Sequence, residues 1–327
     1  MSRWSDKQGT ALITALLITA VVAAVAVGLS QSLTFGIARS GHLADRDQAY
    51  WYALGARDFA ESALVRSLPQ PGEPMRPNDA WAQGARSFEI ENGFLSGEVR
   101  DGQNCFNLNS LVQVSAGVVI ADDVAAERFE SLMRALNIPS GEAQAIVAQA
   151  VDWIDSDTQP GPGGAEDLHY AERAIPHRAA NSLFVEREEL LALPAMNRLI
   201  YEVLRPHVCA LPSVDQPPLN LNTLRTDQAA LLAAFLDNRL SVSDAALIIS
   251  RRPTIGFDDV ELFWSDPLLA ALELEFEHRP HVGLRTSYFE IFVEVQQGEM
   301  RYRLTESVEL QGGQRLIRHH QRFGVFS

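Results

Sequence analysis

The amino-acid sequence predicts an α+β fold: one long N-terminal helix packed on an antiparallel sheet, with a large all-α domain inserted between the strands. Three observations predict it. Residues Thr10–Ala38 carry no charge and are rich in Ala, Leu, Ile and Val. Alternation of apolar and polar residues, the period of a half-buried strand, occurs around Phe88–Asp101 and again from Tyr288 to the C-terminus. Between them, from about residue 110 to 284, apolar residues recur at helical spacing.

The uncharged run comes first. It is long enough to cross about 30 Å of hydrocarbon as a helix. Before it stands MSRWSDKQG, where Arg3 and Lys7 outweigh Asp6; that excess marks the side that stays in the cytoplasm, so the bulk of the chain faces outward. A secretory signal would be cut after its apolar core, near Ala24–Ala26. A plain membrane anchor needs no cut. Gly9, however, lies before the run, and cleavage there leaves the whole apolar helix on the mature chain. Periodicity continues beyond the run. Leu43, Tyr50, Leu54, Leu64 and Leu68 share a stripe, with Arg39, Asp45, Asp47, Arg57 and Glu61 among the polar positions, until Pro69 and Pro71 end the helix.

Residues 69–86, with four prolines, read as a loop. Phe88–Asp101 reads as a hairpin turning at Asn92-Gly93. YFEIFVEVQQ, EMRYRLTESVEL and QRLIRHHQRF are three further strands, joined at Gln297-Gly298 and Gly312-Gly313. In the helical stretch, VAAERFESLMRAL, GEAQAIVAQAVDWID, REELLAL, MNRLIYEVLRPHV, TDQAALLAAFLD, SVSDAALIISRR and DDVELFW are the expected helices. Phe106–Leu111 (FNLNSL) recurs as Leu219–Leu224 (LNLNTL), so the stretch divides into two related subdomains, each opening on an Asn-Leu-Asn element that caps a helix start.

The formal net charge is −15. Nucleic acid needs a basic surface, so it is not an expected partner; the acidic balance is compatible with extracytoplasmic exposure and with cation binding. The motif that concentrates oxygen donors is DWIDSDTQPGPGGAEDLHYAE, Asp152–Glu172. Asp152 and Asp155 end a helix; Asp157, Gln159, Glu166 and Asp167 then crowd a loop that Gly161, Gly163 and Gly164 allow to fold inward. Ca²⁺ takes about six to eight oxygens in irregular geometry. The candidate ligands are Asp155, Asp157, Gln159, Glu166 and Asp167; the alternative is a solvated acidic loop, and the EF-hand register is not matched. Cys105 and Cys209 form a disulfide outside the cytoplasm or remain two buried thiols, and spacing does not decide. Ala245–Phe263 is similar to half of a helix-hairpin-helix DNA-binding repeat, with Arg251, Arg252 and Gly256 in place, but its preceding hairpin, LSVSDA, lacks glycine and acidic residues surround the two arginines. His207 and Cys209 have no marked partner for nucleophilic catalysis, and His319-His320 point to opposite faces of a strand, so no enzyme is expected.

KQG|TALITALL resembles a prepilin peptidase site, and the chain is similar to the type IV pilin superfamily. Its fifth mature position is Thr14, where most members carry glutamate. That departure, with FNLNSL, DWIDSD…GGAED, RAANSLFVEREEL and NLNTL in order, resembles the minor pseudopilin K of type II secretion across nearly the whole chain. The resemblance implies a leader at 1–9 cut between Gly9 and Thr10, N-methylation of Thr10, and a transmembrane and assembly segment at 10–38. It further implies a pilin-like head from 39–105 and 285–327, and an inserted helical domain at 106–284 made of two SAM-like subdomains, 106–212 and 213–284. It implies calcium, a single-pass place in the bacterial inner membrane with the bulk periplasmic, and a position at the tip of the pseudopilus. The implied partners are the I and J minor pseudopilins, prepilin peptidase and secreted proteins. A minor pilin of a type IV pilus and a membrane-anchored DNA-binding protein are the alternative readings.

Overall fold

The computed structural model describes residues 5–272 and 276–326; the first four residues of the expected leader lie outside them. Helix α1, Ser5–Ser67, runs unbroken through Gly9 and Thr10 and stops before Pro69. From Leu12 to Ile37 its large apolar side chains are exposed, as befits a segment with lipid or a neighbouring helix for surroundings. Further along, α1 lies on one face of a five-stranded antiparallel sheet. The strands are β1 (Arg86–Ile90), β2 (Gly93–Asp101), β9 (Tyr288–Gln297), β10 (Met300–Gln311) and β11 (Arg315–Phe326), in that spatial order. The expected helix-on-sheet head is therefore present, and its last three strands fall where the alternation put them.

The face of α1 that meets the sheet keeps Leu54, Leu64 and Leu68 of the expected leucine stripe and adds small residues to it. Ala49, Ala53 and Leu64 are buried there, while Leu43 and Tyr50 remain exposed. Small residues let the helix backbone settle close to Phe289, Ile291, Val293, Val295, Leu304 and Val308. The first hairpin also turns one residue earlier than expected. Ile90 pairs with Gly93, so Glu91-Asn92 form the loop, with Asn92 at φ 63°. Gly93 is already in the strand, and a Cβ there would run into the Gln296 carbonyl.

The chain leaves the sheet at the end of β2 and returns on β9, its direct neighbour, so the long insertion begins and ends at one point. Its elements are β3 (Phe106–Asn107), β4 (Val112–Ser115), β5 (Val118–Ala121), α2 (Asp123–Ala135), α3 (Ser140–Ile154), α4 (Asp167–Ala171) and α5 (Arg198–Leu204). There follow β6 (Val208–Cys209), β7 (Leu219–Asn220), α6 (Ala229–Phe235), α7 (Val242–Ser250), α8 (Val260–Trp264), α9 (Pro267–Ala270) and β8 (Val282–Gly283). Several expected helices are shorter than their patterns: REELLAL is a 3₁₀ segment, Arg187–Ala192, and TDQ at Thr226–Gln228 is 3₁₀ before α6. The β4–β5 hairpin was not expected, because its apolar Val and Ile side chains are largely exposed and show no buried face. One continuous apolar core fills the insertion. Phe106 stacks on Phe129 with ring centres 4.7 Å apart, and every residue of α6 is buried between α2 and α7.

The repeated Asn-Leu-Asn element does more than cap. Each copy starts a two-residue strand that pairs in parallel with the strand closing its half, β3 with β6 and β7 with β8. Asn109 holds both backbone groups of Phe184, accepting from its N–H at 2.7 Å and donating to its carbonyl at 2.9 Å. Asn222 holds Phe257 in the same way, at 2.7 and 3.0 Å, and also donates to Met75 of the head. A buried amide that satisfies three backbone groups is a cross-brace between distant loops.

Candidate metal centre

The acidic motif occupies the gap between α3 and α4. Ala143, Ile146 and Ala150 bury one face of α3, which delivers its last turn to the core edge with Asp152 and Asp155 at its end. Glu166 stands immediately before α4, its backbone N–H donating to His169 Nδ1 at 3.3 Å. The loop between them folds back because Asp152 grips it: its carboxylate accepts the Gly161 N–H at 3.2 Å. Gly164 lies so close that a Cβ would sit 1.8 Å from Asp152 Oδ2. The sequence pattern placed Asp152 at a helix end; the structure makes it the anchor of the loop.

Folding back brings Asp155, Asp157 and Glu166 together, with one oxygen from each lying within 4.8 Å of the others. Asp155 and Glu166 are only 9% and 4% exposed, yet Asp155 Oδ1 and both Glu166 carboxylate oxygens have no hydrogen-bond partner. No ion pair reaches the three carboxylates among the described residues. Burial, and then the charges of Asp157 and Asp152, push the Asp155 carboxyl up to about 6. Burial, reinforced by Asp152, Asp155, Asp157 and Asp167, pushes Glu166 up to about 7. Buried carboxylates that repel one another and meet no donor are strongly unfavourable as anions unless a proton neutralises them or a cation joins them. The donor set is all oxygen, which suits calcium.

Of the five candidate ligands, three converge. Gln159 gives its backbone N–H to Asp157 Oδ1 at 2.8 Å while its side chain is exposed. Asp167 turns away, accepting the Ala179 N–H at 3.1 Å and lying 3.9 Å from Arg178.

Elsewhere in the insertion, Cys105 and Cys209 are joined as a disulfide, with Cα atoms 5.7 Å apart, tying β3 to β6. Asp101, at the end of β2, is half-buried where the insertion meets the head. It accepts from Thr286 Oγ1 at 3.0 Å, Asn220 Nδ2 at 3.1 Å and Thr223 Oγ1. Burial raises its pKa above the ordinary carboxylate value, and these hydrogen bonds oppose that rise. Neither Asp101 nor its donors carried a sequence signal.

Of the two arginines of the DNA-like motif, Arg252 is structural, and Arg251 is exposed beside Asp266. Arg252 Nη1 donates to the Leu221 and Leu224 carbonyls at 2.7 Å each, and Gly256 passes against Asn222 with no room for a side chain. His207 is buried between the carbonyls of Val203 and Asp227. His319 and His320 reach different partners, Glu309 and Glu186.

Two family models described as type II secretion system (T2SS), protein K, match residues 104–213 and 219–283, which together make up the insertion. The chain belongs to the type II secretion protein K family. It is 32% identical to type II secretion system protein K of Aeromonas hydrophila over 310 residues, 93% of each chain. It is 33% identical to that of Pseudomonas aeruginosa, over 93% of this chain and 89% of the relative. A chain in the crystal structure of the GspK–GspI–GspJ complex from enterotoxigenic Escherichia coli superposes with a TM-score of 0.77 at 28% identity, covering 88% of this chain and 99% of that one. The family is a component of a secretion apparatus, and the architecture on which it is built is the helix, sheet and inserted helical domain described above.

Proposed function

We propose that this chain is the minor pseudopilin at the tip of a type II secretion pseudopilus, where it assembles with the I and J minor pseudopilins and supports protein export across the outer membrane. The observation that carries this reading is the near-complete superposition on a chain from a complex of the K, I and J proteins. The shape fits a tip. An insertion of some 180 residues leaves the head at a single point between β2 and β9, and so much bulk on one subunit obstructs a further subunit stacked above it. Prepilin peptidase removes residues 1–9, and Thr10 becomes the methylated first residue. The apolar half of α1 holds the chain in the bacterial inner membrane, with the head and insertion in the periplasm, where secreted proteins meet them. Thr14 fits a capping place: its hydroxyl donates to the Thr10 and Ala11 carbonyls of its own helix, and it brings no carboxylate to a neighbour's amine. The role is structural, without catalysis or nucleic-acid binding.

Calcium is the ion proposed for the acidic loop, held by Asp155, Asp157 and Glu166. It would supply the positive charge that these buried carboxylates lack, joining the end of α3 to the start of α4.

Co-expression of the tagged chain with the I and J proteins of the same genome tests the assembly. Recovery of both in one complex, with a mature N-terminus at Thr10, is expected. A mature start after Ala24 or Ala26, or recovery of neither partner, contradicts the reading.

A further inference from the structure

Side chains alternate along a strand, so the residues between the buried ones of β9 and β10 belong to the face of the sheet opposite α1. Register sets them in rows. Glu98, Phe292, Thr305 and Arg322 form one row across four strands, and Ser96, Glu294 and Arg303 lie in the next. The insertion folds back towards this face: Glu186 and Glu188 reach Arg322 at 3.1 and 3.2 Å. Sheet and insertion together enclose an open cleft of about 620 Å³. Its charge is opposite to that of the chain. Arg100, Arg303 and Arg322 line it from the sheet and Arg187 and Arg205 from the insertion, against the glutamates Glu98, Glu188 and Glu294, in a protein of net charge −15. The glutamates show what these arginines hold. Arg100 grips Glu98 through two N–H groups at 2.8 and 2.7 Å, and Arg303 donates to Glu294 at 2.7 Å. A guanidinium has five N–H donors, and one carboxylate occupies two of them at most. The Arg205 and Arg303 side chains, one from each wall, are still 51% and 52% exposed, which leaves room for a second carboxylate. Arg100 also lies over the Phe292 ring, 4.5 Å from its centre, which holds its charge at the cleft floor.

We propose that this cleft docks an acidic segment of a protein that approaches from the periplasm. The proposal deepens the reading of the chain as a tip subunit and rests on it for the direction of approach. With α1 as the assembly helix, the opposite face of the sheet is turned away from neighbouring subunits and towards passing proteins. Charge selects the segment. Incoming carboxylates meet arginines that already hold carboxylates, whereas a basic segment would have to take Glu98 and Glu294 from theirs, and an apolar one would find little beyond Phe292. The acidic chain as a whole repels an acidic protein at long range. Attraction is therefore confined to the cleft, and a segment that protrudes from its own protein is favoured over a broad acidic surface.

The test uses the full-length protein in detergent and, as probe, a fluorescein-labelled peptide of alternating glutamate and serine, beside glutamine–serine and lysine–serine counterparts. In fluorescence anisotropy, wild type is expected to bind the glutamate peptide, to ignore the other two, and to lose affinity as salt is added. Arg205→Gln and Arg303→Gln should each weaken binding roughly 5-fold, the scale of an ion pair that keeps much of its solvent. Arg239→Gln, an exposed arginine outside the cleft, should leave it unchanged. A measurement on wild type needs no variant to fold: bound peptide should slow hydrogen exchange in the 3₁₀ segment Arg187–Ala192 and around Arg205. Protection elsewhere overturns the proposal, as does wild-type affinity in both cleft variants. Binding of heparin but not of the glutamate peptide gives the cleft to a sulfated polysaccharide and overturns it too. Loss of the I and J proteins from the cleft variants, with the melting temperature kept, would make the cleft a subunit interface and likewise overturn it. Wild type that recovers I and J but binds no glutamate peptide sinks this proposal and leaves the tip reading standing.

Discussion

The head and the insertion bury acidic groups by opposite means. In the head, Glu306 on β10 is 1% exposed and lies under α1. The chain surrounds it with its own cations: Arg57 from α1 and Arg318 from β11 each come within 3.8 Å, and Gln321 donates to it at 3.2 Å. Glu61 and Asp58 share the same arginine, at 2.6 and 2.9 Å. In the insertion, Asp155 and Glu166 are almost as deeply buried but meet other carboxylates. The difference follows from how each region is built. The head has a helix of 63 residues and strands of up to 12, so side chains on three long elements can be brought to one point. The helices of the insertion run from 4 to 15 residues and join through loops, so it relies on cross-links: a disulfide, asparagine braces and, on the proposed reading, an ion. On the calcium reading proposed above, the head, with arginines beside its buried carboxyl, holds at any calcium concentration, whereas the acidic loop makes its region conditional on the ion.

Four perturbations should act differently on the two regions. The largest effect is expected from the disulfide. Replacing Cys105 and Cys209 by serine opens a link across 104 residues, which by chain-entropy reasoning costs about 4.7 kcal/mol. Hydrogen exchange should localise the loss to the insertion while the five-stranded sheet stays protected; equal loss in the sheet would break the contrast. Second, calcium at a hundredfold excess over its dissociation constant should stabilise the insertion by about 2.7 kcal/mol in thermal melts. Gly164→Ala, which drives a methyl into Asp152, should remove most of that increment. Third, Asn222→Ala strands the backbone groups of Phe257 and Met75, at about 1–3 kcal/mol. Denaturant melts should show that loss with and without calcium.

The fourth prediction concerns pH. Burial, with the neighbouring Glu61 adding to it, raises the Glu306 carboxyl from 4.5 to about 7, against the opposing pull of Arg57 and Arg318. The folded state therefore binds the proton more tightly than the unfolded chain. The stability this group gives is full below about 4.5 and is lost as pH rises through 7. Glu306→Gln should flatten that part of the stability-pH curve, measured in saturating calcium so that the acidic loop is kept constant. An unchanged curve would show that the arginines already hold Glu306 ionised throughout.

How much of this was legible in the sequence varied with the range of the interaction. Periodicity is local, so the long helix, the three C-terminal strands and the helical insertion could be read from it. The residues that α1 buries could not, because Ala49 and Ala53 are chosen by how close the sheet comes, and alanine carries little pattern of its own. The repeated Asn-Leu-Asn was visible as a repeat, but its bracing of Phe184 and Phe257 depends on loops 75 and 35 residues away. The cysteine pair, 104 residues apart, could not be joined on spacing. In the acidic loop the right residue types were visible in excess. Only the fold separates Asp167, which turns to Ala179, from Glu166, and brings Asn181 of the RAANSLF segment back to Asp157.

On the proposed calcium reading, the insertion needs an external cation and the head does not. Calorimetric titration of calcium chloride into the chelator-treated, full-length protein at pH 7.5, beside Glu166→Gln, tests it most directly. The account predicts saturable calcium binding by wild type, greatly weakened by the substitution, with a rise in melting temperature confined to the insertion. Absence of calcium binding by wild type, or binding undiminished in Glu166→Gln, would contradict it.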